Sequence, residues 1–182
     1  MKLLIASDLH GSAFYTSLLL RRIEEEKADQ VLLLGDLLYH GPRNDLPKGY
    51  DTKKTAAFLN SIAPIPLCVR GNCDAEVDQM VLSFSILSES ASVFADGRSF
   101  FLTHGHHLEE AASVVWKGTV ILFGHTHVPE FSCAEGVVRV NPGSVSLPKN
   151  ASAHSYLIYE NGVFVWRDVE SGKTLRRESL PD

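Results

Sequence analysis

The stretch KLLIASDLHGSAFYTSLLLRRIEEEKADQVLLLGD (residues 2–36) decides the fold. Its two apolar runs, 2–7 and 31–34, are too short for helices and read as buried strands. Between them, Gly11-Ser12 opens an amphipathic stretch carrying Leu18, Leu19 and Ile23, which reads as a helix capped by the Ser12 side chain. Its polar tail, 21–27, reads as a solvated face with an Arg22–Glu26 pair four residues apart. Strand, helix, strand in that order predicts a right-handed parallel crossover. The first strand runs into Ser7-Asp8 and the second into Gly35-Asp36. Each therefore delivers a carboxylate beyond its C-terminal end, where open parallel sheets bind ligands.

The pattern continues outward. A Pro- and Gly-rich loop (39–50) precedes a predicted helix (52–62) and a third strand (65–69) that ends in Arg70-Gly71-Asn72. Beyond residue 80 the reading is strand-rich: 92–95, 99–103, 119–123, 137–140, 155–160 and 163–169, with a short helix between His107 and Trp116. Asn161-Gly162 between alternating apolar residues is a strong hairpin signal, because both positions tolerate φ > 0. Two packed sheets with helices outside follow, a βαβ half and then a more antiparallel half, in a single domain spanning 1–182.

Composition bounds the partners. With 45% hydrophobic and 21% charged residues, the chain of 182 is an ordinary globular sequence, which excludes a disordered protein. A net charge of −5 without a basic run argues against nucleic acid and against an anionic membrane surface. The three cysteines, Cys68, Cys73 and Cys133, fit no disulfide framework, and no apolar stretch reaches the roughly 20 residues of a membrane span. A cytoplasmic location is the expectation. The eight histidines are out of line with this plain picture.

Asp8-x-His10, Gly35-Asp36, Gly71-Asn72-Cys73-Asp74, Thr103-His104-Gly105-His106 and Gly124-His125-Thr126-His127 each sit just past a predicted strand. Carboxylate, imidazole and amide-oxygen donors converging from five strand ends describe a site for divalent cations of hard to borderline character, not a thiolate zinc site. Glycine at 35, 71 and 124 suits backbone that turns sharply on leaving a strand.

This ordered series resembles the calcineurin-like metallophosphoesterase superfamily, from Asp8 to the Asn141-Pro142-Gly143-Ser144 loop. With the 37–44 loop and the small size, it is most similar to the YfcE-type bacterial phosphodiesterases. The resemblance implies an α/β fold, a four-layer αββα sandwich of two mixed β-sheets flanked by helices. It implies that Asp8, His10 and His127 bind a first metal, that Asp36 bridges two, and that Asn72, His104 and His125 complete the second. Two divalent ions are expected, Mn²⁺ first, with Zn²⁺, Fe or Ni²⁺ as the other choices. It implies hydrolysis of phosphodiesters, and some phosphomonoesters, of small molecules by attack of a metal-bridging hydroxide on phosphorus, and a homo-oligomer, dimer or tetramer. Two dications about 3.5–4 Å apart acidify the water between them and neutralise phosphoryl oxygens. The alternative is a protein-binding scaffold on the same fold, like the superfamily's retromer subunit.

Many members carry His where this chain has Cys73. A thiol with an unperturbed pKa of about 8.5 is a poor proton donor at neutral pH, so esters with basic leaving groups should react slowly. If Cys73 lies near the metals its pKa should fall and it should touch substrate. His106 is the spare acid. Asp74 braces its own loop, and His40, Arg43 and Asn44 are the candidate substrate contacts. Cys68 and Cys133 are read as packing residues, His154 as surface, Trp116 and Trp166 as core or subunit contacts, and Phe14 and Tyr15 as a wall of the substrate pocket.

Overall fold

The computed structural model describes residues 1–181. In chain order the elements are β1 (Leu3–Ala6), α1 (Ala13–Glu26), β2 (Gln30–Leu33), α2 (Thr52–Asn60), β3 (Leu67–Cys68), α3 (Glu76–Gln79), β4 (Ser90–Ala95), β5 (Arg98–Thr103), α4 (Leu108–Val114), β6 (Val120–Leu122), β7 (Glu130–Ala134), β8 (Val137–Asn141), β9 (Ser155–Glu160), β10 (Val163–Asp168) and β11 (Thr174–Ser179). They form two mixed sheets, a six-stranded one ordered β11-β10-β9-β1-β2-β3 and a five-stranded one ordered β4-β5-β6-β8-β7. β1, β2 and β3 are parallel, as the opening stretch predicts. In the second sheet β5, β6 and β8 are parallel, with antiparallel β4 and β7 at the edges.

Side chains alternate along β1, and each set has its own partner. Leu3 and Ile5 join Leu32, Phe100, Leu102, Leu122 and Val140 in a core between the sheets. Leu4 and Ala6 join Leu19, Ile23, Leu59 and Ile62 in a second core under α1 and α2. Burial on both faces is why this strand reads as an unbroken apolar run. Ser12 caps α1 by accepting from the Tyr15 amide, and Asp51 caps α2 in the same way from Lys54. The outermost layer is thin: α4 buries none of its side chains, and Phe94 and Trp116 are 71% and 68% exposed.

Several expectations change. The sheets do not divide the chain into an N-terminal and a C-terminal half, because β9 returns to pair antiparallel with β1 and brings β10 and β11 into the first sheet. β7 and β11 were not legible in the sequence; both are edge strands, and β11 (Thr-Leu-Arg-Arg-Glu-Ser) has no buried face to impose alternation. The hairpin at Asn161-Gly162 forms with φ of 50° and 80°. Trp166 is core, donating its indole N–H to the Asn141 carbonyl at 2.8 Å, whereas Trp116 is not. Cys68 is buried, but Cys133 is exposed on an edge strand and is not part of either core. His154 is not a free surface residue: it stacks on Tyr15 at 3.9 Å. Glu26 pairs with Lys2 and Arg167, leaving Arg22 to Glu25 and to the carbonyls of Val169 and Glu170.

Candidate metal centre

The C-terminal ends of β1, β2, β3, β5 and β6 all empty into one place. Asp8 and His10 follow β1, Asp36 follows β2, Asn72 follows β3, His104 follows β5, and His125 and His127 follow β6. Five of these seven residues leave their strand in the left-handed region, with φ of 57° at Asp8, 46° at His10, 54° at Asp36, 65° at His125 and 62° at His127. For a residue with a Cβ that backbone costs about 1–2 kcal/mol, so it persists only where surrounding bonds over-determine it. Those bonds are present. The Ser144 and Ser146 hydroxyls both donate to the Asp8 carbonyl, at 2.8 and 3.1 Å. The Asp74 carboxylate accepts the amides of Asp36, Leu37 and Gly71 at 2.8, 2.9 and 2.7 Å, the bracing role read from sequence.

The glycines act differently from expectation. Gly35 does turn, at φ 92°, but Gly71 and Gly124 have no positive φ. They are small because a Cβ at 71 would collide with Asp36, and one at 124 with Ser7 and the Asp8 carboxylate. Close approach, not turning, excludes a side chain there.

Hydrogen bonding sets which ring nitrogens face inward. Nδ1–H of His10 donates to the Tyr39 carbonyl at 2.8 Å, that of His104 to Leu34 at 2.7 Å, and that of His127 to Leu147 at 2.6 Å. A carbonyl only accepts, so each Nδ1 carries a proton and each Nε2 of a neutral ring presents a lone pair inward. The Nε2 atoms of His10 and His127 are 3.2 Å apart, and Asp8 Oδ1 lies 3.8 and 3.3 Å from them. That oxygen is buried without a hydrogen-bond partner. Nearby, His104 Nε2 lies 3.1 Å from Asn72 Oδ1 and 3.4 Å from Asp36 Oδ2, which is also 3.6 Å from His10 Nε2. Lone pairs converging this closely on an orphaned carboxylate oxygen repel one another unless a cation or a proton sits among them, so the donor set fits divalent metal. The groups Asp8–His10–His127 and Asp8–Asp36–His104 each have the compactness a metal ion requires, with Asp8 and His10 at 0–1% exposure.

Charge follows the same geometry. Burial by itself would raise the Asp36 carboxyl, but the hydrogen-bonded His104 overrides it and holds Asp36 well below the usual carboxylate range. Asp8 is likewise lowered, burial being outweighed by His127 and His104. Burial pulls His10 and His125 down, which favours the neutral imidazoles that coordinate metal. Burial also works against a charged His104, yet Asp36 and Asp8 outweigh it and raise the ring to about 9.

The site opens into a cavity of about 300 Å³ lined by His10, Asp36, Asn72, His125 and His127 together with Gly41, Pro42, Arg43, Asn44, Cys73 and Lys149. Arg43 and Asn44, the candidate substrate contacts, thus line the cavity beside the donors. His40 does not: its ring is held edge-on between Tyr39 and Tyr50, at 4.7 and 5.3 Å, where it props the loop. His106 also lies outside the cavity lining. The chain turns at Gly105, with φ 108°, and His106 faces a neighbouring cleft with Glu89, Thr103 and Glu110, its centroid 5.6 Å from that of His104. Cys73 does line the cavity, and in the metal-free protein burial first and Asp36 second push its thiol up to about 12. Phe14 and Tyr15 do not reach the cavity; Phe14 lies under Lys48, and Tyr15 is 6% exposed against His154. Lys149 was missed, because nothing local distinguishes a lysine in the Pro148-Lys149-Asn150 turn.

Comparison with known proteins bears on the same residues. The model of the calcineurin-like phosphoesterase superfamily domain matches residues 1–161, which contain all seven converging side chains and Lys149. The phosphodiesterase YfcE of Escherichia coli K12 is 43% identical over 164 residues, covering 90% of this chain and 89% of its own. The solved structure of the E. coli phosphoesterase superposes with a TM-score of 0.93 at 38% identity, covering the whole of both chains. Vps29 of Entamoeba histolytica shares the fold at a TM-score of 0.69 and 20% identity, again over both whole chains. The paired sheets, the buried ring of carboxylate and imidazole donors and the match over most of the sequence agree: this chain belongs to the calcineurin-like phosphoesterase superfamily.

Proposed function

We propose that the protein is a dinuclear-metal phosphodiesterase acting on small molecules, with some phosphomonoesters within its range. The observation that carries this reading is the pair of buried donor groups, Asp8–His10–His127 and Asp8–Asp36–His104, whose lone pairs meet beneath one polar cavity. The 43% identity to a phosphodiesterase over 90% of the chain supports the reaction class.

Asp8, His10 and His127 are assigned to one ion, Asn72, His104 and His125 to a second, and Asp36 to the bridge. Mn²⁺ is the first choice, because carboxylate, amide oxygen and imidazole together suit it better than Mg²⁺. When bound, two such ions supply an acidified water as nucleophile and neutralise phosphoryl oxygens. The chain's own residues do the rest. The Asp8, Asp36 and imidazole shell is held by backbone carbonyls and amides, so it needs little reorganisation as charge develops. Asn44 is assigned to a phosphoryl oxygen and Arg43, with its planar fork, to an anionic group of the substrate in the 300 Å³ cavity, a volume that suits a small ester. Cys73 contacts the same space, but a thiol is a poorer proton donor than an imidazolium at neutral pH, so activated aryl diesters should be the better substrates.

The resemblance also carries a cytosolic location and a homo-oligomer into this reading. Three free thiols support the first, and no helix of the described residues is long and apolar enough to cross a membrane. Metal analysis of the purified protein together with hydrolysis of bis(p-nitrophenyl) phosphate across a series of divalent ions tests the whole assignment. Turnover dependent on added metal is expected; none with any ion returns the chain to the scaffold alternative.

A further inference from the structure

The cavity over the metal centre holds more positive charge than a simple diester neutralises. Arg43, from the loop after β2, and Lys149, from the turn that follows the 142–147 loop, line the same space, and among the described residues neither side chain is ion-paired. Among the described residues the only carboxylate lining the cavity is Asp36, which its imidazole and amide neighbours already occupy. On the reading above, four metal charges less Asp8 and Asp36 leave +2. A hydroxide brings that to +1 and a monoanionic diester to zero. Arg43 and Lys149 then remain as two cations with no anion left to meet. The rest of the lining narrows the class further. Among the described residues no Phe, Tyr or Trp is part of it, and its only rings are the imidazoles assigned to the ions, so it offers no free aromatic face on which a nucleobase or aryl group would stack.

We propose that the substrate's organic half carries a second anionic group, a carboxylate or phosphate within a few bonds of the scissile phosphorus, and that Arg43 and Lys149 bind it. The inference rests on the phosphoesterase reading and narrows its substrate to small, polar, doubly anionic phosphoesters. Lys149 approaches from the His127 side, where its amide donates to the His127 carbonyl at 3.3 Å, while Arg43 comes from the loop whose Gly41 lies close to Asn44 and Cys73. The scissile phosphate fits between them, and the second anion sits toward the rim, where both exposed side chains move freely enough to follow it.

Titration calorimetry on the Mn²⁺-loaded protein tests this with propylphosphonate and 3-phosphonopropionate, which differ by one carboxylate. The doubly anionic probe should bind about tenfold more tightly, as a charge-assisted pair in a partly screened site allows. In Lys149→Met that preference should shrink to within about twofold, and Arg43→Met should reduce it as well. The preference should also decline with added salt. Equal binding of the two probes by the unaltered protein overturns this inference and leaves the phosphoesterase reading intact. A loss in Lys149→Met that is the same for both probes also overturns it, by making Lys149 a contact of the scissile phosphate alone. Failure of both phosphonates to bind breaks the phosphoesterase reading itself and takes the inference with it. Thermal melts matching the parent keep misfolding of these exposed-site variants apart from each result.

Discussion

The candidate metal centre has two unlike halves. Asp8, His10, Asp36, His104 and His127 are at most 3% exposed, and all three of their rings are fixed through Nδ1 by backbone carbonyls. Asn72, Cys73 and His125 are exposed or half-buried, and Asn72 uses its amide to reach the Cys73 sulfur at 3.3 Å. His125 is held by its backbone, whose amide donates to Asp8 Oδ2 at 3.1 Å. The inner half is thus built before any ligand arrives, at the cost of left-handed backbone and buried charge. The outer half retains freedom to adapt to what enters the cavity. A site divided in this way should lose metal when the inner half is cut and change substrate preference when the outer half is cut.

Asp36→Asn is the severest test, since it removes the carboxylate oxygen that lies 3.6 Å from His10 Nε2 and 3.4 Å from His104 Nε2, between the rings assigned to the two ions. Metal-dependent hydrolysis should fall by more than about 1,000-fold, and wild-type rates would end the bridging assignment. Next come His127→Ala and His125→Ala, measured by metal titration. The inner histidine should cost about tenfold more affinity than the outer one, and equal losses would erase the distinction between the halves.

Ser144→Ala reaches the inner half from behind. Its hydroxyl donates to the Asp8 carbonyl and accepts the amides of Ser146 and Leu147, and the Leu147 carbonyl in turn holds His127. Metal affinity should drop by about 10- to 100-fold, with recovery in Ser144→Thr, which retains the hydroxyl. A pH series follows. His104 has a folded pKa of about 9, above the roughly 6.5 of an unfolded histidine. In protein stripped of metal, its contribution to stability is therefore complete below about pH 6.5 and is lost as pH rises through 9. Metal affinity should move the opposite way, rising across that interval, because coordination displaces the same proton. Melting temperatures and metal titrations at matched pH check both slopes. The smallest effect is expected at Cys73→His, in the outer half. Hydrolysis of esters with basic leaving groups should improve by up to about tenfold while metal content stays unchanged; an unaltered leaving-group dependence would place proton donation elsewhere.

Much of this site is legible along the chain, because each donor lies one to four residues beyond an apolar run and period-2 burial marks where strands end. The helix caps Ser12 and Asp51 and the Asn161-Gly162 turn are equally local. What failed to show was set by distant contacts. His40 and His106 have the composition of site residues, yet a tyrosine pair and a turn at Gly105 carry them away. Lys149 has no motif, yet it stands in the cavity with Arg43, 106 positions earlier in the numbering.

The amino-acid sequence by itself determined the parallel crossover, the donor types and the order in which strand ends present them, since backbone periodicity and turn chemistry act over a few residues. Only the tertiary structure decided which imidazole nitrogen faces inward, why Gly71 and Gly124 must be bare, and that β9–β11 complete the first sheet. Those outcomes depend on a carbonyl, a carboxylate or a strand edge supplied from elsewhere in the chain, and no local pattern encodes a partner dozens of residues away.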